Sequence, residues 1–277
     1  MRAAPLSDLS RCAVHTITTK PWPIERAIEA YAAAGIGGIT VWRDALEGRD
    51  HALIGRRIQD AGLKPVALVR GGFFCHAQDG EREAALSDNR AAIREAAAIG
   101  APMVVLVCGA RPDQSLETSR GQIRDGIEAL LPEARDKGVQ LAIEPLHPMY
   151  ADNRSAINTL KSANEMAEHF NCPEVGVAVD VYHLWWDPDL EVEIARCGRN
   201  GNLAAFHVCD WRTPTEDFLL DRGLMGEGCI DIPGIRSMVE KAGFAGFNEV
   251  EIFSTRRWAG DQDLWLREIT AAYLKSV

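Results

Sequence analysis

Short apolar runs alternate with longer amphipathic segments along the whole chain. Gly38–Trp42 is a run without a charge, and His51–Ala61 follows it with apolar side chains every three or four positions. The first pattern is typical of a buried strand, and the second of a helix that packs one face on a sheet. Glycines such as Gly35, Gly100 and Gly138 indicate where helical segments end.

Eight such strand–helix units can be counted. The predicted strands are Cys12–Thr16, Gly38–Trp42, Pro65–Arg70, Met103–Cys108, Val139–Glu144, Val175–Asp180, Leu203–His207 and Phe247–Glu251. The predicted helices are Pro23–Ala34, His51–Ala61, Glu81–Ile99, Ser115–Lys137, Ala156–His169, Leu190–Cys197, Pro233–Ala242 and Gln262–Lys275. Alternation implies parallel pairing, so the pattern predicts an α/β (β/α)₈ TIM barrel as a single domain over residues 1–277. A doubly wound open sheet is the alternative, but no G-x-G-x-x-G motif follows the first strand.

Four of the later strands end in a residue that can ligate a metal. These residues are Glu144, Asp180, His207 and Glu251. A carboxylate at the end of a buried strand must pair, protonate or bind a cation. Three carboxylates and one imidazole suit a divalent ion such as Mn²⁺, with Mg²⁺ and Co²⁺ as alternatives, whereas Zn²⁺ usually takes more His or Cys. The alternative is that each residue pairs with an Arg or Lys, but four such ends together favour one metal ion.

Further polar residues lie close to these strand ends. His183 follows Asp180 by three positions and is predicted to donate a hydrogen bond to a substrate oxygen, or else to cap a helix. Arg212 could neutralise a developing oxyanion, or equally well pair with a neighbouring carboxylate, Asp210 or Glu216. His147 and Asn158 flank the loop after Glu144 and could reach the substrate; packing and helix capping are the alternatives, and they are favoured for Asn158.

Aromatic side chains also lie at or just beyond predicted strand ends. They are Trp42, Phe73, Trp185, Trp211 and Phe253. Aromatic faces pack on the C–H faces of sugars, so they predict a carbohydrate-sized pocket; barrel mouths also use aromatics simply to cover the core. The loop Asp210–Asp231 holds Gly223, Gly226 and Gly228 and is predicted to flex over the mouth. His15 and Glu227 are weaker site candidates.

The net charge of −10 and the pI of about 5.2 disfavour binding to nucleic acid or an anionic membrane. They also argue against a highly anionic substrate, unless a local Arg overrides them. The seven cysteines show no C-x-x-C pair, which indicates reduced thiols. The N-terminus has no long apolar run, and Met103–Cys108 is far too short to span a bilayer. We therefore expect a cytoplasmic protein whose oligomeric state, a homo-oligomer included, stays open.

Five segments carry a resemblance to a known family: LAIEPLHP, VGVAVDVYHLWW, AFHVCDW, GEGCIDIPGI and FNEVEIFS. They resemble the sugar-phosphate isomerase/epimerase group of xylose isomerase-like TIM barrels, in particular its ketose 3-epimerases and its inosose- or hydroxypyruvate-processing enzymes. The resemblance spans most of the chain and is most specific from residue 139 onward. It implies metal ligation by Glu144, Asp180, His207 and Glu251, an acid/base pair of Glu144 and Glu251, and substrate contacts from His183 and Arg212. The loop LHPMYADNR departs from the epimerases and leaves the substrate open.

The resulting hypothesis is a divalent-metal-dependent isomerase or epimerase that acts on a small keto- or aldo-sugar through a cis-enediolate. A lyase or dehydratase on a keto-sugar, keto-glycoside or inosose is the alternative, and an inactive metal- or sugar-binding protein is a third. The absence of a Gly-rich phosphate cradle after strands seven and eight favours an unphosphorylated substrate. DNA-repair endonucleases of the same superfamily need extra His ligands on early strands and a D-x-H motif. Here the second strand ends in Trp42 and no such motif is found.

Overall fold

Eight parallel strands close into a barrel in the computed structural model, which describes residues 4–277. The strands follow one another around the barrel in chain order, and the last pairs with the first. The predicted (β/α)₈ TIM barrel is thereby confirmed, and the open sheet is excluded. The first three residues of the predicted 1–277 domain lie outside the described residues.

The strands lie close to their predicted positions. The barrel strands are β1 (Cys12–His15), β2 (Gly38–Trp42), β3 (Lys64–Gly72), β4 (Met103–Val107), β5 (Gln140–Ile143), β6 (Val175–Asp180), β7 (Leu203–Val208) and β10 (Asn248–Val250). Between the last two, the two-residue strands β8 (Asp210–Trp211) and β9 (Arg222–Gly223) form an antiparallel pair. This pair lies within the segment that was predicted as one long loop.

Helices cover the outside of the barrel. They are α1 (Ile24–Ala33), α2 (His51–Asp60), α3 (Asp79–Ile99), α4 (Leu116–Lys137), α5 (Leu160–Phe170), α6 (Val181–Leu184), α7 (Leu190–Arg199), α8 (Ile232–Lys241), α9 (Thr255–Trp258) and α10 (Gln262–Ser276). Short 3₁₀ helices span Thr16–Thr19, Arg43–Leu46 and Pro148–Tyr150. Among the described helices, none has the length and apolar character that crossing a membrane requires.

The predicted start of α5 at Ala156 is wrong by four residues. Thr159 caps the helix, since its hydroxyl accepts from the Ser162 backbone N–H and the Ser162 hydroxyl accepts in return. Just before it, the Asn158 amide donates to the carbonyl oxygens of Leu146 and Ser155. These bonds tie the segment to the loop after β5, so it cannot join the helix.

Small side chains fill the barrel interior beneath the strand ends. Along β5, Leu141 and Ile143 face the helices, whereas Ala142 belongs to the smaller inner cluster. Side chains alternate along a strand, so a residue two positions after an inner alanine also points inward. Three ligand-type residues follow this rule, in the pairs Ala142 and Glu144, Ala178 and Asp180, and Ala205 and His207. The regular pleat of three strands therefore carries these side chains to one place.

Candidate metal centre and substrate cavity

The four predicted metal ligands come together at the floor of a cavity. Glu144, Asp180, His207 and Glu251 each offer one ligand atom, and these atoms all lie within 4.8 Å of one another. All four residues are buried. Glu144 and Glu251 lie one position beyond their strands but stay in the barrel ladder, because their backbone N–H groups donate to carbonyls of neighbouring strands at 3.2 Å. We call these four residues the ligand ring.

The imidazole of His207 supplies positive charge to this ring. Its Nδ1 lies 2.9 Å from Glu144 Oε1, and its Nε2 lies 3.9 Å from Glu249 Oε1 without a hydrogen-bond partner. Burial opposes ionisation, but Glu249, Glu144 and Glu251 outweigh it and raise the pKa of His207 to about 10. The metal-free ring therefore holds a proton where a metal ion would otherwise balance the carboxylates.

The carboxylates of the ring differ in their acidity. Burial, helped by Glu144 and Glu251 and opposed by Arg222, raises the pKa of Asp180 to about 7. Burial acts the same way on Glu251, but the charges of His15, Arg222 and His207 hold its pKa well below the usual range. Clustered carboxylates that protonate in part, together with an imidazole nitrogen aimed at them, fit a divalent cation.

Arg222 on β9 is the main site residue that the sequence analysis missed. Its Nη1 donates to Asp180 Oδ2 at 3.2 Å and to Glu251 Oε2 at 2.9 Å, and its guanidinium lies over the Tyr182 and Phe253 rings. It is buried and lines the cavity. It sits on a two-residue strand within a long polar segment, where no periodic signal marks it.

Arg212, the arginine that was predicted to contact the substrate, lies elsewhere. It forms an ion pair with Asp221 and is not among the residues that line the cavity. The alternative stated for it, pairing with a neighbouring carboxylate, describes its position, although the partner is Asp221 and not Asp210 or Glu216.

His183 lies beside the ring and is buried. Its Nδ1 accepts from the His147 backbone N–H at 3.3 Å, and its Nε2 lies 3.2 Å from Arg222 Nη2 and 3.6 Å from Asp180 Oδ2. Burial and the charge of Arg222 lower the pKa of His183 well below the usual value, so its imidazole is neutral. A neutral imidazole accepts at one nitrogen only, and a guanidinium can only donate. Nε2 therefore accepts from Arg222 when the proton is on Nδ1, and Nε2 carries the proton when Nδ1 accepts from His147.

A second layer of polar groups supports the ring from below. His15 lies 3.0 Å from Glu251 Oε1 through Nδ1 and 3.3 Å from Glu249 Oε2 through Nε2. The Thr40 hydroxyl donates to Glu249 Oε2 at 2.5 Å. Burial opposes it, but Glu251 and Glu249 raise the pKa of His15. Glu249 precedes Glu251 by two positions and shares its inward face, and this spacing could have identified it from the sequence.

The cavity above the ring has a volume of about 810 Å³, which is large enough for a sugar. Trp42 and Phe73 lie on its wall as predicted, together with Phe253. His147, Trp185 and Trp211 do not line it. They form an aromatic cluster beside it, with Trp211 stacked on Tyr182 at 4.8 Å and 5.3 Å from the His147 ring.

The long segment after β7 is tied down by one buried carboxylate. Asp210 accepts hydrogen bonds from the backbone N–H groups of Trp211, Gly226, Gly228 and Ile230 at 2.8–3.0 Å. A Cβ on Gly228 would collide with the Trp211 carbonyl oxygen. Gly228 therefore permits close packing at this point, whereas the flexing of the segment over the mouth stays a prediction.

The fold and the site together define a (β/α)₈ barrel with a polar, ligand-rich centre at the C-terminal ends of its strands. The chain belongs to the xylose isomerase-like TIM barrel family, whose model matches residues 28–272. The resemblance found in the sequence is thereby confirmed.

Three known proteins are similar to this chain. The crystal structure of protein SMc04130 from Sinorhizobium meliloti 1021 is 43% identical, with a TM-score of 0.93 over 97% of this chain and 99% of that chain. The IOLI protein with a zinc atom is 19% identical, with a TM-score of 0.85 over 96% of this chain and 98% of that chain, and this likeness shows the fold alone. Inosose isomerase from Halalkalibacterium halodurans is 24% identical over 215 residues, which cover 74% of this chain and 73% of that protein.

Proposed function

We propose that this protein is a divalent-metal-dependent isomerase or epimerase of a small keto- or aldo-sugar. The observation that carries the proposal is the ligand ring, with two glutamates among its members, at the floor of a sugar-sized cavity. The similarity to an inosose isomerase supports the reaction class, and the zinc in the IOLI structure supports a metal of some kind.

The ligand ring would hold the ion through Glu144, Asp180, His207 and Glu251. Oxygen-rich ligation favours Mn²⁺, with Mg²⁺, Co²⁺ and Zn²⁺ as alternatives. When bound, such an ion polarises a substrate carbonyl and acidifies the neighbouring C–H. On the far side of His207, the Glu249 carboxylate lies 3.9 Å from Nε2, which is too far for a hydrogen bond but close enough to stabilise the imidazole electrostatically.

Glu251 and Glu144 are the proposed acid/base pair. The pKa of Glu251 is depressed, so this carboxylate is ionised at neutral pH and can take a proton from the substrate carbon. The resulting cis-enediolate receives a proton from the other glutamate. Return to the opposite face of the same carbon gives an epimer, and return to the neighbouring carbon gives an isomer.

Arg222 takes the role that was predicted for Arg212. Its guanidinium lines the cavity beside Asp180 and Glu251, where it can stabilise negative charge that develops on a substrate oxygen. The imidazole of His183 is neutral, and in the tautomer that carries its proton on Nε2 it can donate to a second substrate oxygen. The lack of disulfides among the seven cysteines supports the prediction of a cytoplasmic protein.

Turnover of a panel of keto-sugars and inososes tests the proposal. The protein is loaded with Mn²⁺, Mg²⁺, Co²⁺ or Zn²⁺ in turn, and products are identified by NMR and mass spectrometry. An isomer of unchanged mass supports the proposal. Loss of water or of an aglycone would reassign the protein to the lyases or dehydratases. Binding without turnover by any metal-loaded form would make it a binding protein.

A further inference from the structure

Two arginines on the cavity wall have no carboxylate partner. Arg70 and Arg154 both line the cavity, and neither forms an ion pair or a side-chain hydrogen bond with any residue between 4 and 277. The other arginines on this wall are neutralised. Arg43 pairs with Asp88 and Glu95, and Arg222 pairs with two carboxylates of the ligand ring.

Each of these two guanidinium groups rests on an aromatic ring. Arg70 lies over the Phe73 ring at 4.2 Å, and Arg154 lies over the Tyr150 ring at 5.6 Å. Stacking of this kind uses the face of the guanidinium and leaves its N–H groups free at the edge. Both rings also line the cavity. The two arginines are thus oriented by contacts that do not consume their hydrogen-bond donors.

The backbone beneath both arginines is firmly held. Phe73 has a positive φ of 54°, which an aromatic residue rarely adopts, and its N–H donates to the Val107 carbonyl at 2.8 Å. The Arg154 carbonyl accepts from the Gly109 N–H at 2.8 Å, and the Arg154 backbone N–H donates to the Tyr150 carbonyl at 3.0 Å. Strain that is retained by such anchors is typical of functional sites.

The positive charges of the arginines on this wall repel one another. Burial lowers the pKa of Arg70, and the charges of Arg154 and Arg43 lower it further, with Asp88 opposing. Asp88 is already engaged by Arg43. An anion between Arg70 and Arg154 would relieve this repulsion and use the free N–H donors.

We propose that Arg70 and Arg154 bind an oxyanion, a carboxylate or a phosphate, that the substrate carries apart from the oxygens facing the ligand ring. This inference rests on the proposed function and narrows it to sugar acids or sugar phosphates. It revises the expectation of an unphosphorylated, weakly charged substrate, because two local arginines override the acidic net charge.

Calorimetric binding of matched probes tests the proposal without turnover. Sorbitol, gluconate and sorbitol 6-phosphate share a six-carbon chain and differ in the terminal group. We expect at least one anionic probe to bind the Mn²⁺-loaded protein about tenfold more tightly than sorbitol. The anion that gains more identifies the source, carboxylate or phosphate. R70Q and R154Q should each lose most of this preference while their affinity for sorbitol stays unchanged.

Two further variants separate a specific site from general electrostatics. K20Q removes an exposed cation that lines the same cavity and lies over the Trp258 ring, and it should keep the preference. R70K keeps the charge but loses the planar fork, so it should restore only part of the preference. Melting temperatures close to wild type in R70Q and R154Q exclude misfolding as the cause.

Equal binding of all three probes to the wild-type protein, or an anion preference that survives in R70Q and R154Q, would overturn the inference. Anion preference without turnover of any sugar would overturn the proposed function and leave the anion site intact. Turnover of a neutral ketose with kcat/KM equal to that of its acid and phosphate analogues would support the proposed function and remove the anion site.

Discussion

The ligand ring and the wall that carries Arg70 and Arg154 have opposite electrostatic character. The ligand ring holds three carboxylates and one imidazole, and all four side chains are buried. The positive charges of Arg222, His15 and His207 balance the negative charge of the carboxylates. On the wall, the two arginines are partly exposed and no carboxylate neutralises them. If the ring binds the proposed cation and the wall binds the proposed anion, a substrate that carries both kinds of group would be oriented before chemistry begins.

The largest effect is expected at the two glutamates of the ring. In E251Q and E144Q, an amide oxygen can still ligate weakly but no longer accepts a proton. Turnover with excess Mn²⁺ should therefore fall by about 10² or more, while calorimetry still detects Mn²⁺ binding. E83Q, which changes an exposed glutamate, is the matched control. A rate close to wild type for E144Q would mean that Glu144 only positions the ion.

The second comparison sets Arg222 against Arg212. R222M removes the cation that faces Asp180 and Glu251, so kcat/KM should fall by about 10². R212M, which disturbs only a pair with Asp221 outside the cavity, should change it by less than about threefold. Steady-state kinetics on both variants measures the two losses of kcat/KM. The reverse order of effects would restore Arg212 as the substrate contact.

Chelation probes the ring alone. Removing a metal that binds only the folded state should lower the melting temperature by about 5 °C, and Mn²⁺ should restore it. D180N lacks one ligand and should show a smaller difference between its loaded and chelated forms. An unchanged melting temperature after chelation of a sample with verified metal content would contradict the ring as a metal site.

A smaller effect should follow from pH in the metal-free protein. The pKa of Asp180 rises from an ordinary 3.8 to about 7, and that of His207 from 6.5 to about 10, so the folded state binds the extra protons. The contribution of Asp180 to the free energy of unfolding is fully present below pH 3.8 and is lost as pH rises through 7. That of His207 is fully present below pH 6.5 and is lost as pH rises through 10.

Urea unfolding in EDTA across this range measures the effect. D180N should flatten the fall between about pH 4 and 7, and excess Mn²⁺ should reverse its sign because metal binding displaces the protons. Below pH 6.5 the depressed pKa of His183 acts in the direction opposite to Asp180, so the decisive range lies above it. A free energy of unfolding of the metal-free protein that rises from pH 7 to 9 would contradict the raised pKa of His207.

The same two regions explain which parts of the site could be predicted. Glu144, Asp180, His207 and Glu251 follow regular strands, so an apolar run with a ligand-type residue at its end identifies each of them. The position of Arg222 depends on its pairing with Trp211 and on the hydrogen bond from its backbone N–H to the Phe253 carbonyl at 2.9 Å, both of which are contacts outside its own segment. No local pattern carries that information, so the sequence indicates Arg212, which lies nearer to the strand, as the substrate contact.

The wall was predicted only in part for a similar reason. Phe73 and Trp42 follow strands and were found, whereas the role of Arg70 depends on having no partner. The absence of a partner is a property of the folded molecule and cannot be seen along the chain. The fold itself was predictable because its strand and helix periods repeat eight times, with boundaries off by only a few residues.

The inner alanines beneath the ring restrict how this chain can diversify. Ala142, Ala178 and Ala205 are fully buried two positions before the ligands, so a larger side chain at these positions would displace the ligands above them. The side chains of Arg70 and Arg154 line the cavity wall and do not belong to this inner cluster. New substrate preferences could therefore arise by exchange on the wall, while the inherited chemistry of the ring stays fixed.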